Sequence, residues 1–161
     1  AADNTPRPLH VPPAWTVARG GTAAAGVDYK TMNLGASYNF GSFVLNGGYN
    51  SMKWKPASGA TSGKVDGFYL GATIPVGPGS FRVKYASAKF SGNATALTRS
   101  GGKTDKYSIG YVYDFSKRTS VYAGVARVNN KNGASIGLIG GPAGVANTGS
   151  TGVDIGISHS F

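Results

Sequence analysis

Strict two-residue alternation runs through this chain, and it constrains the fold more than any other feature. In residues 151–161, Val153, Ile155, Ile157, His159 and Phe161 fall on one face, and Asp154, Gly156, Ser158 and Ser160 fall on the other. A period of two is the signature of a strand with one apolar and one polar face. The same pattern recurs upstream. Met32, Leu34, Ala36, Tyr38 and Phe40 oppose Thr31, Asn33, Gly35, Ser37 and Asn39. Phe43, Leu45, Gly47 and Tyr49 share a face in 43–55, and Phe68, Leu70, Ala72, Ile74 and Val76 share one in 64–76. Phe81, Val83 and Tyr85 alternate with Arg82, Lys84 and Ala86. Tyr107, Ile109, Tyr111, Tyr113 and Phe115 alternate with Lys106, Ser108, Gly110, Val112 and Asp114, and 119–129 is a further strand. An additional strand near residues 9–18 is awkward, because Pro12 and Pro13 each remove a ladder donor.

The connections alternate in length. Short turns are predicted at 41–42, 77–79 and 116–118, and long loops at 19–29, 56–63, 91–104 and 130–150. Strands of about ten to thirteen residues exceed the usual globular length and suffice to cross a bilayer at a tilt. Short turns at one end and long loops at the other match a transmembrane barrel, with the short turns periplasmic. Aromatic residues gather beside the short turns: Tyr38, Phe40, Phe43, Phe81, Tyr113, Phe115 and, at the same level, Phe161. That is an interfacial girdle. A soluble β-sandwich or lipocalin-like barrel is the competing architecture, but its opposing faces would both be bulky. Here the second face is Gly, Ser, Asn, Thr and Lys.

Composition agrees. No apolar run approaches the roughly 20 residues of a membrane helix. A β-barrel needs none, because only alternate residues meet lipid. There is no Cys, so neither a disulfide framework nor a thiolate metal site is available. No leader segment is visible at Ala1, which implies its removal or an internal start.

Particular stretches resemble a known family. Asn33-Leu-Gly-Ala-Ser-Tyr-Asn-Phe40, Asp114-Phe-Ser-Lys-Arg-Thr-Ser-Val-Tyr122, the ending Gly152-Val-Asp-Ile-Gly-Ile-Ser-His-Ser-Phe161 and Arg7-Pro-Leu-His-Val11 resemble the C-terminal half of general trimeric porins of β-proteobacteria. The resemblance implies an all-β, antiparallel, up-and-down transmembrane β-barrel, with the seven or eight strands here forming half of a sixteen-stranded whole. Residues 1–161 are then one barrel segment. It further implies an outer-membrane location, a homotrimer, and a terminal aromatic, Phe161, that the barrel assembly machinery reads. The constriction loop that such porins carry in their first half is not in this sequence. Closure as a small eight-stranded barrel is the alternative, acting as an anchor or binding protein through its extracellular loops. Its Gly- and Ser-rich interior would be poorly filled.

The net charge is +10, from 16 Lys+Arg against 6 Asp+Glu. Arg82, Lys84 and Lys106 stand on polar faces. With lipid outside they point into the lumen, since a mid-depth charge facing lipid costs roughly 2–4 kcal/mol. Fixed positive charge along a water-filled wall concentrates anions. Arg127 is taken as a fourth pore-lining candidate, although it shares a face with Val121, Ala123 and Val125 and could sit at the extracellular rim. Lys53 and Lys55 are unassigned in direction. Arg99, Lys103, Lys117, Arg118 and Lys131 fall in predicted loops or turns, where solvation or headgroup contact is expected rather than selectivity.

No catalytic constellation is present. The carboxylates Asp3, Asp28, Asp66, Asp105, Asp114 and Asp154 form no evident acid–base pair or metal site, and His159 reads as a girdle residue. Gly140-Gly141 lacks the strand–loop–helix setting of a phosphate loop. The expectation is an anion-preferring diffusion channel for small anionic or polar solutes, needing no cofactor and partnered by membrane lipid. Nucleic acid is not expected, because most strand aromatics lie opposite Arg82, Lys84 and Lys106 rather than interleaving with them.

Overall fold

The computed structural model describes residues 14–16, 27–56, 62–92 and 100–160. They form one antiparallel sheet whose strands neighbour one another in chain order. The strands are β1 (Ala14–Thr16), β2 (Val27–Asn39), β3 (Val44–Pro56), β4 (Gly63–Val76), β5 (Gly79–Gly92), β6 (Lys103–Asp114), β7 (Thr119–Lys131) and β8 (Gly149–His159). The expected strand near 9–18 is represented by β1. The remainder of that stretch and Phe161 lie outside the described residues.

Sequence chemistry sets the short turns. Gly77 has φ 58°, and Gly77-Pro78 joins β4 to β5. Glycine at the first central position of a two-residue hairpin supplies that positive φ without a Cβ clash. Between β6 and β7 the Ser116 hydroxyl accepts hydrogen bonds from the Arg118 and Thr119 amides, both at 3.1 Å. Between β2 and β3 the Asn39 side chain accepts from the Gly41 amide at 2.8 Å.

Register assigns each residue to a face. Leu70 pairs with Tyr85, Tyr85 with Tyr107, Tyr107 with Arg127, and Arg127 with Thr151. Directly opposite residues share a face, so the apolar sets of neighbouring strands merge into one continuous surface. That surface is not buried. Leu70 is 52% exposed, Ile109 48% and Ile155 77%. A sandwich would have covered it with a second sheet. An uncovered apolar face of this extent requires a nonaqueous neighbour. On β4 the run from Phe68 to Val76 is about 27 Å along the strand, or about 20 Å along the membrane normal at a 45° tilt.

The expected girdle forms on this face beside the short turns. Tyr38 packs edge-on against Phe40 and Phe40 stacks on Phe43, each with centroids 4.6 Å apart. Phe81 lies 4.7 Å from Tyr111, and Tyr113 lies 4.9 Å from Phe115. A second belt, absent from the sequence reading, lines the long-loop side. Phe68, Tyr85 and Tyr107 are in contact, and the Tyr49 and Tyr85 hydroxyls donate to Asp66 and Asp105 at 2.7 and 2.9 Å. Two belts bounding an apolar band fit the two interfaces of a bilayer.

The sheet is open. Among the described residues β1 and β8 make no contact, so these strands do not close into an eight-stranded barrel.

Candidate functional site

The polar face is the candidate site. Arg82 pairs with Gly110, Lys84 with Ser108 and Lys106 with Val128, which puts all three cations on the face opposite Phe81, Val83, Tyr85 and Tyr107. Arg82 and Lys84 are on adjacent same-face positions of β5, about 7 Å apart along the strand. Gly124 links Gly110 to Asp154, so the Asp154 carboxylate shares the Arg82 row three strands away, about 14 Å across the sheet.

Lys84 does not hang free. Its Nζ lies 4.4 Å from the centroid of the Tyr69 ring. Tyr69 pairs with Gly48 and Ala86 and so belongs to the polar face. A Cβ at Gly48 would stand 2.6 Å from Tyr69 Cε1. The absence of a side chain is what lets the ring lie flat on the wall, presenting its π face to the ammonium group. Such a contact adds about 0.5–1 kcal/mol at an exposed site and restrains a flexible lysine. Tyr122 lies across Gly156 in the same manner. Glycines on this face therefore make space for aromatic rings laid against the sheet.

Arg127 departs from the other three cations. It pairs with Tyr107 and Thr151 and stands on the apolar face, at its long-loop end. Its Nε donates to Asn129 Oδ1 at 3.1 Å and its Nη1 to Thr151 Oγ1 at 3.5 Å. A long cationic side chain on the outer face is tolerable there because it reaches the headgroup level. The reading of Arg127 as pore-lining is thus corrected. Lys53 also stands on this face, opposite Lys30 and Lys64, and Lys55 occupies the same face two residues on. Lys103 and Lys131, expected in loops, are strand residues of β6 and β7.

The connection between β7 and β8 was expected to be an ordinary extracellular loop, but it folds over the polar face. Val128 is 1% exposed and Ala134 0%, and they are the buried apolar residues among those described. Asn130, also on the polar face, ties the loop down: its Nδ2 donates to Ile136 O at 2.9 Å, and its Oδ1 accepts from Ile136 N at 3.2 Å and Thr104 Oγ1 at 2.8 Å. Gly133 N donates to Asn147 Oδ1 at 2.7 Å, and Asn147 N donates to Ala134 O at 3.1 Å, closing the loop on itself. Leu138 lies so close to the wall that a Cβ at Gly152 would stand 3.0 Å from its Cδ1. Between loop and sheet is a cleft of about 710 Å³ bordered by Arg82, Lys106, Leu138, Ile139 and Asp154. Ile139 itself is fully exposed. Sequence signals for this fold-over existed in Val128 and Asn130, which follow the small residues Gly124 and Ala126 on the β7 polar face. Their meaning depends on what the loop does.

An open, antiparallel sheet with an uncovered apolar face, two aromatic belts and a cationic polar face defines a wall segment of an outer-membrane β-barrel. Residues 7–133 match the family model for Gram-negative porins, and the chain belongs to that family. It is 37% identical over 146 residues to outer membrane porin protein 32 of Delftia acidovorans, covering 87% of this chain and 40% of that protein. The fold is similar to the anion-selective porin from Comamonas acidovorans, with a TM-score of 0.75 and 35% identity over 86% of this chain and 41% of that one. OmpT, an outer membrane protein of Vibrio cholerae, shares the fold at a TM-score of 0.67 and 15% identity, with 94% of this chain and 48% of that one covered. The chain thus spans about 40% of the length of the curated relative it matches. Membership of a porin family places the protein in the outer membrane, as the sequence implied.

Proposed function

We propose that this chain is the C-terminal wall of a larger porin barrel, which provides a water-filled, anion-preferring route for passive diffusion of small hydrophilic solutes. The observation that carries this reading is the grouping of Arg82, Lys84 and Lys106 on the polar face. Facing them across the sheet is Asp154, with Asp114 at the short-turn end. In a narrow aqueous lumen between low-dielectric walls, such an imbalance raises anion concentration and repels cations. Tyr69 holds Lys84 against the wall, so its charge is fixed in position rather than swept through the lumen. The inward-folded β7–β8 loop narrows the passage on the same side as Arg82 and Lys106. Remaining strands, supplied by the rest of the barrel, complete the lumen, and sibling subunits complete a homotrimer.

The test is the zero-current reversal potential of single channels of the full-length protein in a salt gradient. Wild type shows anion preference. Arg82→Glu combined with Lys84→Glu shifts the reversal potential towards cation preference. An unchanged potential in the double variant excludes these residues as the source of selectivity.

A further inference from the structure

We infer that the polar face holds a subsite for one planar aromatic ring bearing a carboxylate, set beside Tyr69 and between Lys84 and Lys106. The subsite is a hollow of about 260 Å³ whose lining includes those three residues with Gly67, Ala86 and Ala88. Register explains its shape. Gly48, Tyr69, Ala86 and Lys106 follow one another in a single row across β3, β4, β5 and β6. Asn50, Gly67, Ala88 and Thr104 make the next row, about 7 Å nearer the long loops. Gly67, Ala86 and Ala88 carry nothing larger than a methyl group, so the sheet itself is the floor. Tyr69 and Lys106 stand on either side of Ala86, about 10 Å apart at the backbone.

The wall already holds one ring in this way. Tyr69 lies on Gly48, and Lys84 Nζ covers the ring at 4.4 Å from its centroid. One strand over, Ala86 takes the place of Gly48 as floor, and ammonium groups flank it on both sides. Among the described residues no carboxylate pairs with Lys84 or Lys106; the ion pairs of the sheet engage Lys64 and Lys103 instead. The ends of the second row are tied to the protein, since Thr104 Oγ1 donates to Asn130 Oδ1 at 2.8 Å and Asn50 Nδ2 donates to Asn33 Oδ1. The polar demand of the hollow is therefore cationic, over an apolar floor.

That combination selects a chemical class. A small aliphatic anion would satisfy the charge and leave the Gly–Ala floor wet. A neutral sugar would bring hydroxyl groups to a floor with no side chain to meet them. A ring with a carboxylate satisfies both demands: its plane lies on Gly67, Ala86 and Ala88, its π face meets an ammonium group, and its carboxylate meets Lys106. The hollow is smaller than the roughly 300–1,000 Å³ of sites for drug-sized ligands, which limits the solute to a single ring. The inference rests on the reading of this face as the wall of an anion-preferring lumen, and adds to it a selection by shape. Charge alone would handle two ionised acids of similar size alike; this subsite prefers the flat one.

The experiment measures single-channel chloride current through the full-length protein in planar bilayers as benzoate or cyclohexanecarboxylate is added. Both acids carry one charge at neutral pH and have the same number of carbons, but only benzoate is planar. The expected result is that benzoate halves the current at a concentration about tenfold lower than its saturated counterpart. Lys106→Gln weakens block by both acids, by about threefold. Ala86→Leu fills the floor and removes the advantage of benzoate. Should that variant fail to fold, Ala88→Leu tests the floor one row along. Equal block by the two acids in the wild type, with anion preference in plain chloride intact, overturns the inference alone. So does an undiminished advantage of benzoate in a folded floor variant. Absence of anion preference in plain chloride overturns instead the pore reading on which the inference rests.

Discussion

Asn130→Ala should release the β7–β8 loop from the polar face. The Asn130 side chain is 5% exposed and holds three hydrogen bonds, two to the Ile136 backbone and one from Thr104. Truncation leaves those partners unpaired in a closed loop, at about 1–3 kcal/mol for each buried group. The Thr104 hydroxyl rotates and water reaches part of the gap, so a net penalty of about 2–4 kcal/mol is reasonable. Since about 1.4 kcal/mol is a factor of ten, the ratio of lifted to folded loop rises about 30- to 1,000-fold. Two assays on the full-length porin read this. Thermolysin should cut before Leu138, Ile139 or Val145 much faster in the variant, and single-channel conductance should rise. Asn129→Ala is the control. Asn129 is adjacent in sequence but lies on the outer face, where it accepts from Arg127. If Asn130→Ala leaves both proteolysis and conductance at wild-type values, the loop is not held by this side chain and the reasoning fails.

Further outcomes follow from the two-faced wall. Gly48→Ala places a Cβ 2.6 Å from Tyr69 Cε1 and 2.8 Å from Leu34 O, so it should destabilise the barrel by about 1–3 kcal/mol in urea unfolding from vesicles. It should also loosen Lys84 and reduce anion preference. Ile109→Arg sets a charge in the lipid band and should cost about 2–4 kcal/mol in the same assay. Ser108→Arg, one residue away on the polar face, should cost less than about 1 kcal/mol and increase anion preference. Equal costs for the two would mean that the faces are misassigned.

Much of this molecule was legible in its sequence because a strand's facing depends only on parity. Once Tyr107, Ile109 and Tyr111 alternate with Lys106, Ser108 and Gly110, the faces of β6 are set. The β4–β5 hairpin followed from Gly77-Pro78, and the placement of Arg82, Lys84 and Lys106 on one face followed from the same rule. Facing across strands is another matter. Lysine pairing depends on register: Lys103 lies opposite both Lys89 and Lys131, which no local pattern states. Strand ends blurred for a related reason. In Ala86–Gly92 the alternation inverts, with Ala86, Ala88 and Phe90 on the polar face and Ser87, Lys89 and Ser91 on the apolar one, so the strand signal is lost there; β5 and β6 run beyond the expected edges of the loop at 91–104 and carry Lys103 into the sheet. Arg127 was misleading because the apolar face of β7 passes from lipid to headgroup level between Val125 and Arg127. Tyr69 gave no sign of its role, since its partner Gly48 is distant in sequence. The fold-over of residues 132–148 was hidden because its anchors, Asn130 and Ala134, gain meaning only from contacts with Ile136 and Asn147.

The most direct test of the two-faced wall uses the absence of cysteine from this segment. Single cysteines at Ser108, Ala126, Ile109 and Val125, in the full-length protein in bilayers, are exposed to a membrane-impermeant maleimide. The account predicts rapid labelling at 108 and 126, and protection at 109 and 125 until the bilayer is dissolved. Labelling at 109 and 125 with protection at 108 and 126 would contradict it.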